Sequence, residues 1–375
     1  MRSVVSLARS ENYKTDSVRS SLRKILDPLG GMGKFVNAGD RVLLKPNLLT
    51  SAHPDSAVTT HPEVVRAVAM EVIDFGGKPF IADSPAIKGF DKVAKSSGLK
   101  DVADELNIPI KPLDDSVSRT LAKDNIFRML ELSRDALEAD VVINLPKLKT
   151  HSMMLMTMAV KNLFGCVVGT RKAQWHLKAG ENKLYFARLL LEIYRAISPA
   201  LNIMDGIVGM EGDGPGSSGT PIKTNLLAAS TDGIALDRVM LEVAGVDPDR
   251  LYTNVIAREM GIGETDLARI KLEGDPLFSF KTRKFKMPKG IDTPAVPTFV
   301  MRLASRHFVS RPVEDAKTCT LCEECIEICP TGTISNSGER LSFDYDKCIR
   351  CYCCVEVCPE GSMKPFEPVL SRLLG

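Results

Sequence analysis

No apolar run in this chain approaches the roughly 18 residues that a membrane-spanning helix needs, so no membrane partner is expected. The opening stretch, Met1 to Tyr13, is too polar for a secretory signal, and its apolar part is too short. A soluble, cytoplasmic protein is the expectation. Excess charge is lacking as well: 49 basic residues stand against 47 acidic ones, a formal balance of +2. Nucleic-acid binders carry a clustered basic footprint, so nucleic acid is not expected as a partner. Cysteine is almost missing from most of the chain: Cys166 is alone, and the other nine lie between Cys319 and Cys358. In a large chain without an export signal, cysteines clustered at two-residue spacing indicate metal rather than disulfides. A nucleotide signature is lacking too. The glycine-rich stretch GMEGDGPGSSG (209–219) has neither a Walker lysine nor G-x-G-x-x-G spacing, and its two acids would repel phosphate. It reads as a mobile lid or a divalent-cation site.

What is present near the C-terminus is a pair of matching cysteine runs. The first is Cys319-x-x-Cys322-x-x-Cys325-x-x-x-Cys329-Pro330 and the second Cys348-x-x-Cys351-x-x-Cys354-x-x-x-Cys358-Pro359. Two-residue spacing lets one tight loop present three thiolates to one iron–sulfur cube. The fourth cysteine starts a short helix leading away and ligates the other cube. One 4Fe–4S cluster is thus assigned Cys319, Cys322, Cys325 and Cys358, and a second 4Fe–4S cluster Cys348, Cys351, Cys354 and Cys329. The halves form an internal repeat at constant offset, with Gly332 against Gly361, which implies two clusters side by side. Every ligand position resembles the bacterial-type 2(4Fe–4S) ferredoxin family. Zinc favours closed tetrahedral sets and is the blander metal. Stapling a small domain is the blander role, although two adjacent clusters exceed it. Cys353 sits between two ligands and reads as a spare buried thiol, with replacement of Cys354 or loss of an iron as the alternatives.

The length exceeds what one core normally supports, so two domains are expected. Residues 1–290 alternate short apolar runs with amphipathic stretches, the pattern of a large N-terminal α/β domain with a mainly parallel sheet. Thr59 or Thr60 is expected to open the first crossover helix and Gly76-Gly77 to close it. Residues 291–314 read as a linker containing a candidate helix at 298–308. Residues 315–366 read as a small α+β ferredoxin-like domain, and 367–375 as a tail.

In open α/β sheets, ligands bind beyond the carboxyl ends of the strands. RVLLK (41–45) runs into Asn47, PFIAD ends at Asp83, and ADVVINLP runs into Lys147, Lys149 and His151; NIMDG supplies Asp205. Lys147, Lys149 and Lys161 are candidates for holding an anion, and His151 for moving a proton. Lys45, Asn47, Asp83 and Asn162 are candidate substrate contacts. Asp205, Glu211 and Asp213 are candidate oxygen ligands for Mg2+. Each has a plainer reading: a turn, a helix cap, or a satisfied structural histidine. Met153, Met154, Met156 and Met158 read as core filler. Cys166 reads as a small buried hydrophobe, with a reactive thiol as the minority reading.

Together KPNLL, the NLPKLKTH…KNLFG block and the MDGIVGMEGDGPGSSG loop resemble the DUF362 family, over most of residues 1–290. Its members often carry a C-terminal bacterial-type ferredoxin module, and the family name records an unknown function. The resemblance therefore implies architecture and a redox setting, not a substrate. The leading expectation is an iron–sulfur oxidoreductase whose two 4Fe–4S clusters pass low-potential electrons to an anionic substrate in the α/β domain. The alternative is a non-enzymatic electron carrier or maturation partner that docks another protein through that domain. An iron–sulfur sensor ranks third, since no DNA-binding motif accompanies it. Nothing in the sequence demands a flavin or argues against one.

Overall fold

The computed structural model describes residues 2–85, 89–122, 125–169, 171–280, 284–288 and 310–366. The apolar runs read above become strands. Val42, Leu43 and Leu44 are shielded from solvent altogether, as a strand covered on both faces requires. Burying each such side chain contributes about 1.5–3 kcal/mol. The ten-stranded sheet begins at one edge with Lys271–Gly274, Val4–Arg9, Gly219–Ser230 and Leu201–Gly212. It continues through Val141–Leu145, Arg41–Pro46 and Lys78–Asp83 to Ile110–Pro112. Every pairing from Leu201–Gly212 to Ile110–Pro112 is parallel, whereas Gly219–Ser230 runs antiparallel to both neighbours. Lys147–His151 branches off, pairing with Leu201–Gly212 and with Leu155–Thr157.

Parallel neighbours need a crossover, and the helix Pro62–Asp74 supplies the first. His61, not Thr59 or Thr60, is its N-cap: His61 Nδ1 accepts from the Glu63 amide at 3.2 Å. Thr60 instead ties two strand ends together. Its hydroxyl donates to the Leu145 carbonyl at 2.6 Å and accepts from the Asn47 amide at 2.8 Å. Beyond the last helical turn Gly76 adopts φ 78°, a conformation that favours glycine.

The C-terminal region is an α+β module. Arg311–Glu314 pairs antiparallel with Met363–Phe366, and Ile334–Asn336 with Leu341–Phe343. The first of these strands falls in the stretch expected to be linker, so the small domain starts earlier than 315. The candidate helix at 298–308 and the tail 367–375 lie outside the described residues. The sequence repeat is also a backbone repeat. Positive φ recurs at Leu321 and Arg350, at Glu323 and Tyr352, and at Gly332 and Gly361, always at the same offset.

The small domain shares a core with the large one. Tyr352, Cys354 and Val355 belong to the same buried cluster as Phe164, Phe186 and Leu190. The glycine-rich loop is its seat. Ser218 Oγ donates to the carbonyls of Met363 (2.9 Å) and Gly361 (3.2 Å). A Cβ at Gly216 would stand 2.6 Å from the Glu356 carbonyl oxygen, so only glycine permits the approach. The loop expected to be a lid or a cation site is a docking surface within the chain. Among the described residues, no helix is long and apolar enough to cross a membrane.

Candidate functional site

Register brings the strand ends to one level, setting Lys45 opposite Asn144 and Leu44 opposite Ile81. The side chains beyond that level lock one another. Lys45 Nζ lies 2.9 Å from Asp83 Oδ1, both buried, and donates to the Pro46 carbonyl at 2.7 Å. The other Asp83 oxygen accepts from the Leu48 amide at 2.8 Å. Gly165 of the KNLFG block packs onto this pair: a Cβ there would come within 2.3 Å of Asp83 Oδ1 and 2.6 Å of Lys45 Nζ. A chain of amides follows. Asn162 donates to Asn144 at 2.8 Å, Asn47 donates to Asn162 at 3.0 Å, and Lys149 donates to Asn47 at 2.7 Å. Lys149 also donates to the carbonyls of Val58 (2.5 Å) and Pro215 (3.3 Å). Burial, reinforced by the charge of Lys161, holds its ammonium well below the usual lysine range.

Above this floor opens a cavity of about 80 Å³. Lys149, Lys161 and Lys172 line it from the large domain, and Cys353 and Glu356 close it from the ferredoxin module. Lys172 donates to the Ser84 carbonyl, and burial brings its pKa down to about 8. Lys161 is likewise lowered by burial, against the pull of Glu356 and Cys353. Its ammonium stands 5.9 Å from the centre of the Phe164 ring.

His151 is held by hydrogen bonds at one ring nitrogen and faces a carboxylate with the other. Nδ1 accepts from the amides of Met153 (3.0 Å) and Met154 (3.2 Å). The proton therefore belongs on Nε2, which stands 2.9 Å from Glu356 Oε1. Burial lowers the imidazole to about 4, and Lys161 adds to the shift. Burial would raise the Glu356 carboxyl, but His151 and Lys161 outweigh it and hold it below the ordinary range. The result is a neutral imidazole facing a carboxylate at close range across the domain junction. A free proton shuttle, as expected of His151 from the sequence, does not fit those surroundings.

Lys147 does not line the cavity. Its ammonium donates to Asp205 Oδ2 (2.7 Å) and to the Tyr13 hydroxyl (3.0 Å). Asp205 also accepts from the Tyr13 hydroxyl (2.9 Å) and the His61 amide (2.9 Å). Tyr13 stacks on His61 with ring centroids 3.5 Å apart. This closed cage commits Asp205, and Glu211 accepts from the Lys286 amide at 2.9 Å. Among the described residues, no three His, Cys, Asp or Glu groups converge closely enough to hold a single metal ion. Asp205, Glu211 and Asp213 are thus not drawn into a Mg2+ site.

The cluster cysteines behave differently. Thiolates around a four-iron cube stand further apart than donors around one ion. Burial pushes the Cys325 thiol up to about 12, with Cys322, Cys358 and Cys319 adding to it. Burial also raises Cys354, with Cys351, Cys348, Cys325 and Cys329 adding to it. Cys358 is among the neighbours of Cys325, and Cys329 among those of Cys354, as the crossed assignment expects; Cys325 also neighbours Cys354. The paired positive-φ residues turn each loop into a concavity of the kind that cups anionic iron–sulfur cores. Ser362 donates its amide to Cys358 Sγ (3.2 Å) and Thr333 donates to Cys329 Sγ (3.4 Å). Such N–H···S bonds suit thiolates in a cluster. Cys353 is buried on the cavity wall beside Cys351. Cys166 is fully buried, its thiol pushed up to about 12 by burial.

The family of unknown function DUF362 matches residues 42–242, and a 4Fe-4S dicluster domain matches residues 311–359. The chain belongs to the DUF362 family. A thylakoid-associated protein of Synechocystis sp. is 48% identical over 261 residues, covering 70% of this chain and 80% of that one. The DUF362 chain also resembles, at low level, the lactate racemase apoprotein of Thermoanaerobacterium thermosaccharolyticum. The TM-score is 0.42 at 14% identity, over 65% of this chain and 57% of that chain. A Thermotoga maritima protein gives 0.38 at 10%, over 68% of this chain and 61% of that one. This chain thus spans less than two thirds of either, and no functional argument rests on them. The dicluster match makes this an iron–sulfur electron-transfer protein.

Sequence reasoning missed Lys172, Glu356 and Tyr13. Glu356 sits inside the CCVEVCP run, where cysteine spacing draws all the attention. Only the docking of that helix shows what it faces.

Proposed function

We propose that this protein is an oxidoreductase of a reducing, cytoplasmic setting, with its substrate site at the junction between the sheet crevice and the ferredoxin module. One observation carries this: residues of the ferredoxin helix Cys353–Val357 form a wall of the cavity whose floor is the carboxyl edge of the sheet. Two bound 4Fe–4S clusters, held by the crossed cysteine sets, would supply single electrons at low potential. The chain's own residues do the rest. Lys161 and Lys172 attract an anion, and Lys149 adds charge from below. Asn47 and Asn162 orient it, while Phe164, Ile328 and Val357 exclude water. His151 positions the Glu356 carboxylate from behind. The reading includes no Mg2+, because Asp205 and Glu211 are committed elsewhere.

The test is anaerobic. Protein with iron and sulfide quantified is reduced by dithionite and mixed with a panel of small organic anions while cluster absorbance is followed. Saturable re-oxidation by at least one anion, weakened by Lys161→Gln, is the expected result. Re-oxidation by protein oxidants alone would support the second reading, an electron carrier or maturation partner. Exposure of the ligand Cys322 at the surface favours that alternative.

A further inference from the structure

The two ligands assigned to cross between clusters, Cys329 and Cys358, stand at matched places in the repeat, yet their surroundings differ. Thr331-Gly332-Thr333 follows Cys329-Pro330, and Glu360-Gly361-Ser362 follows Cys358-Pro359. Each turn sends a backbone amide to its sulfur: Thr333 to Cys329 at 3.4 Å, Ser362 to Cys358 at 3.2 Å. The side chains break the match. Thr333 Oγ1 lies 3.3 Å from Cys329 Sγ and Thr331 Oγ1 3.5 Å from the same sulfur, with 3.2 Å between the two hydroxyl oxygens. At the matching places in the second half, Glu360 is exposed and its carboxylate has no proton to give. The buried Ser362 hydroxyl finds no partner among the described residues.

A cysteine bound to iron is a thiolate, and a thiolate sulfur accepts hydrogen bonds without donating any. That fixes the direction of the hydroxyls. Thr333 donates to Cys329 Sγ, and Thr331 donates either to the same sulfur or to Thr333 Oγ1, where it polarises and strengthens the first bond. Either way Cys329 has a hydroxyl donor that Cys358 lacks. Reduction adds negative charge, and hydrogen bonds to the sulfurs are one of the levers on a cluster's potential. Donors aimed at that charge favour the reduced form. Charges along the two loops act in the same sense. Glu323, Glu324 and Glu327 accompany the first cysteine run, whereas Arg350 and Glu356 accompany the second. Nearby carboxylates disfavour an added electron. Solvent at Cys322 works the other way for its own cluster, but on one ligand of the four: Cys319 is half-buried, and Cys325 and Cys358 are buried.

We infer that Thr333, backed by Thr331, raises the reduction potential of the cluster held by Cys329, Cys348, Cys351 and Cys354, and that this cluster has the higher potential of the two. Both threonines are positioning residues, acting through the Cys329 sulfur. The order gives the pair a direction. One electron from a low-potential donor enters where Cys322 reaches the surface, and passing inward it oxidises the first cluster as it reduces the second. Cys353, from the loop that carries Cys351, lines the cavity wall, so the electron rests on the cavity side. The order of the potentials holds whatever the cavity binds; its use in delivering electrons there rests on the oxidoreductase reading.

Potentiometric titration of the cluster-loaded full chain, kept anaerobic and followed by electron paramagnetic resonance, tests this in the parent, Thr333→Val, Thr331→Val and Thr333→Ser. Valine keeps the shape of threonine and the backbone amide, and drops the hydroxyl. The parent is expected to show two distinct potentials. Thr333→Val should lower the higher one and leave the lower in place. Losing a hydrogen bond to a charged acceptor should shift the reduction equilibrium by about three- to tenfold, about 30–60 mV for one electron. Thr331→Val should move the same potential by less, and Thr333→Ser should keep it. Iron and sulfide content identify variants that hold both clusters, and Thr331→Val decides the matter if Thr333→Val does not load. Two equal potentials in the parent, a fall in the lower potential alone, equal falls in both, or no change in any loaded valine variant would overturn the inference. The expected order with no re-oxidation of reduced clusters by any small anion would keep the inference and remove the oxidoreductase proposal instead.

Discussion

Three of the described histidines are buried and neutral for the same reason: desolvation disfavours the charged ring. It brings His61 and His151 to about 4 and His176 to about 3. For His61 the sign of the linkage is direct. Between pH 6.5 and about 4 the unfolded chain binds a proton that the folded chain refuses, so folding weakens as pH falls through that window. His61→Asn keeps an N-cap on Pro62–Asp74 and removes that contribution. Its stability should fall less steeply between pH 6.5 and 4 than that of the parent, by on the order of 2 kcal/mol. Melting curves of both proteins across the window check it, and parallel profiles would contradict it. At Gly165 the argument is steric. Gly165→Ala forces a methyl onto the Lys45–Asp83 pair and should cost about 1–3 kcal/mol, with weakened anion binding. Denaturant titration and calorimetry measure the two effects.

At the scale of elements, the ferredoxin helix Cys353–Val357 has a loop against it on one side and the His151–Glu356 contact on the other. Gly216→Ala would push the 214–218 turn away from the Glu356 carbonyl. Faster hydrogen exchange in both 214–218 and 353–357 is expected, and a change confined to the loop would show that it is no seat. Glu356→Gln leaves the His151 proton with a neutral acceptor and should cost about 1–3 kcal/mol, read from denaturant midpoints.

The elements also show what could be foreseen. Lys45, Asn47, Asp83, Lys149, Lys161 and Asn162 meet at one edge, Lys45 as the buried partner of Asp83, because a parallel sheet collects its strand ends there. Lys147 follows the same strand, and alternation alone would group it with Lys149. A register shift in the neighbour sets Lys147 opposite Asp205 and Lys149 opposite Met210, which sends the first lysine into the Tyr13 cage. No pattern in the sequence announces such a shift. The glycines of 209–219 were legible as a special loop, but their purpose depends on a helix more than a hundred residues away.

Over the whole molecule, the two domains were legible separately, from apolar rhythm and from cysteine spacing, and their junction was not. The central claim is that the clusters and the crevice form one site. Lys161 belongs to the large domain, yet it lines one cavity with Cys353 and Glu356 of the small one. The most direct measurement is a potentiometric titration of the clusters, followed by electron paramagnetic resonance, in the parent and in Lys161→Gln. Removing a positive charge near a cluster disfavours its reduction. The reduction potential of at least one cluster should therefore fall, by on the order of tens of millivolts for charges about 10 Å apart. Potentials unchanged in a folded, iron-replete variant would contradict the claim and leave two domains that merely share a chain.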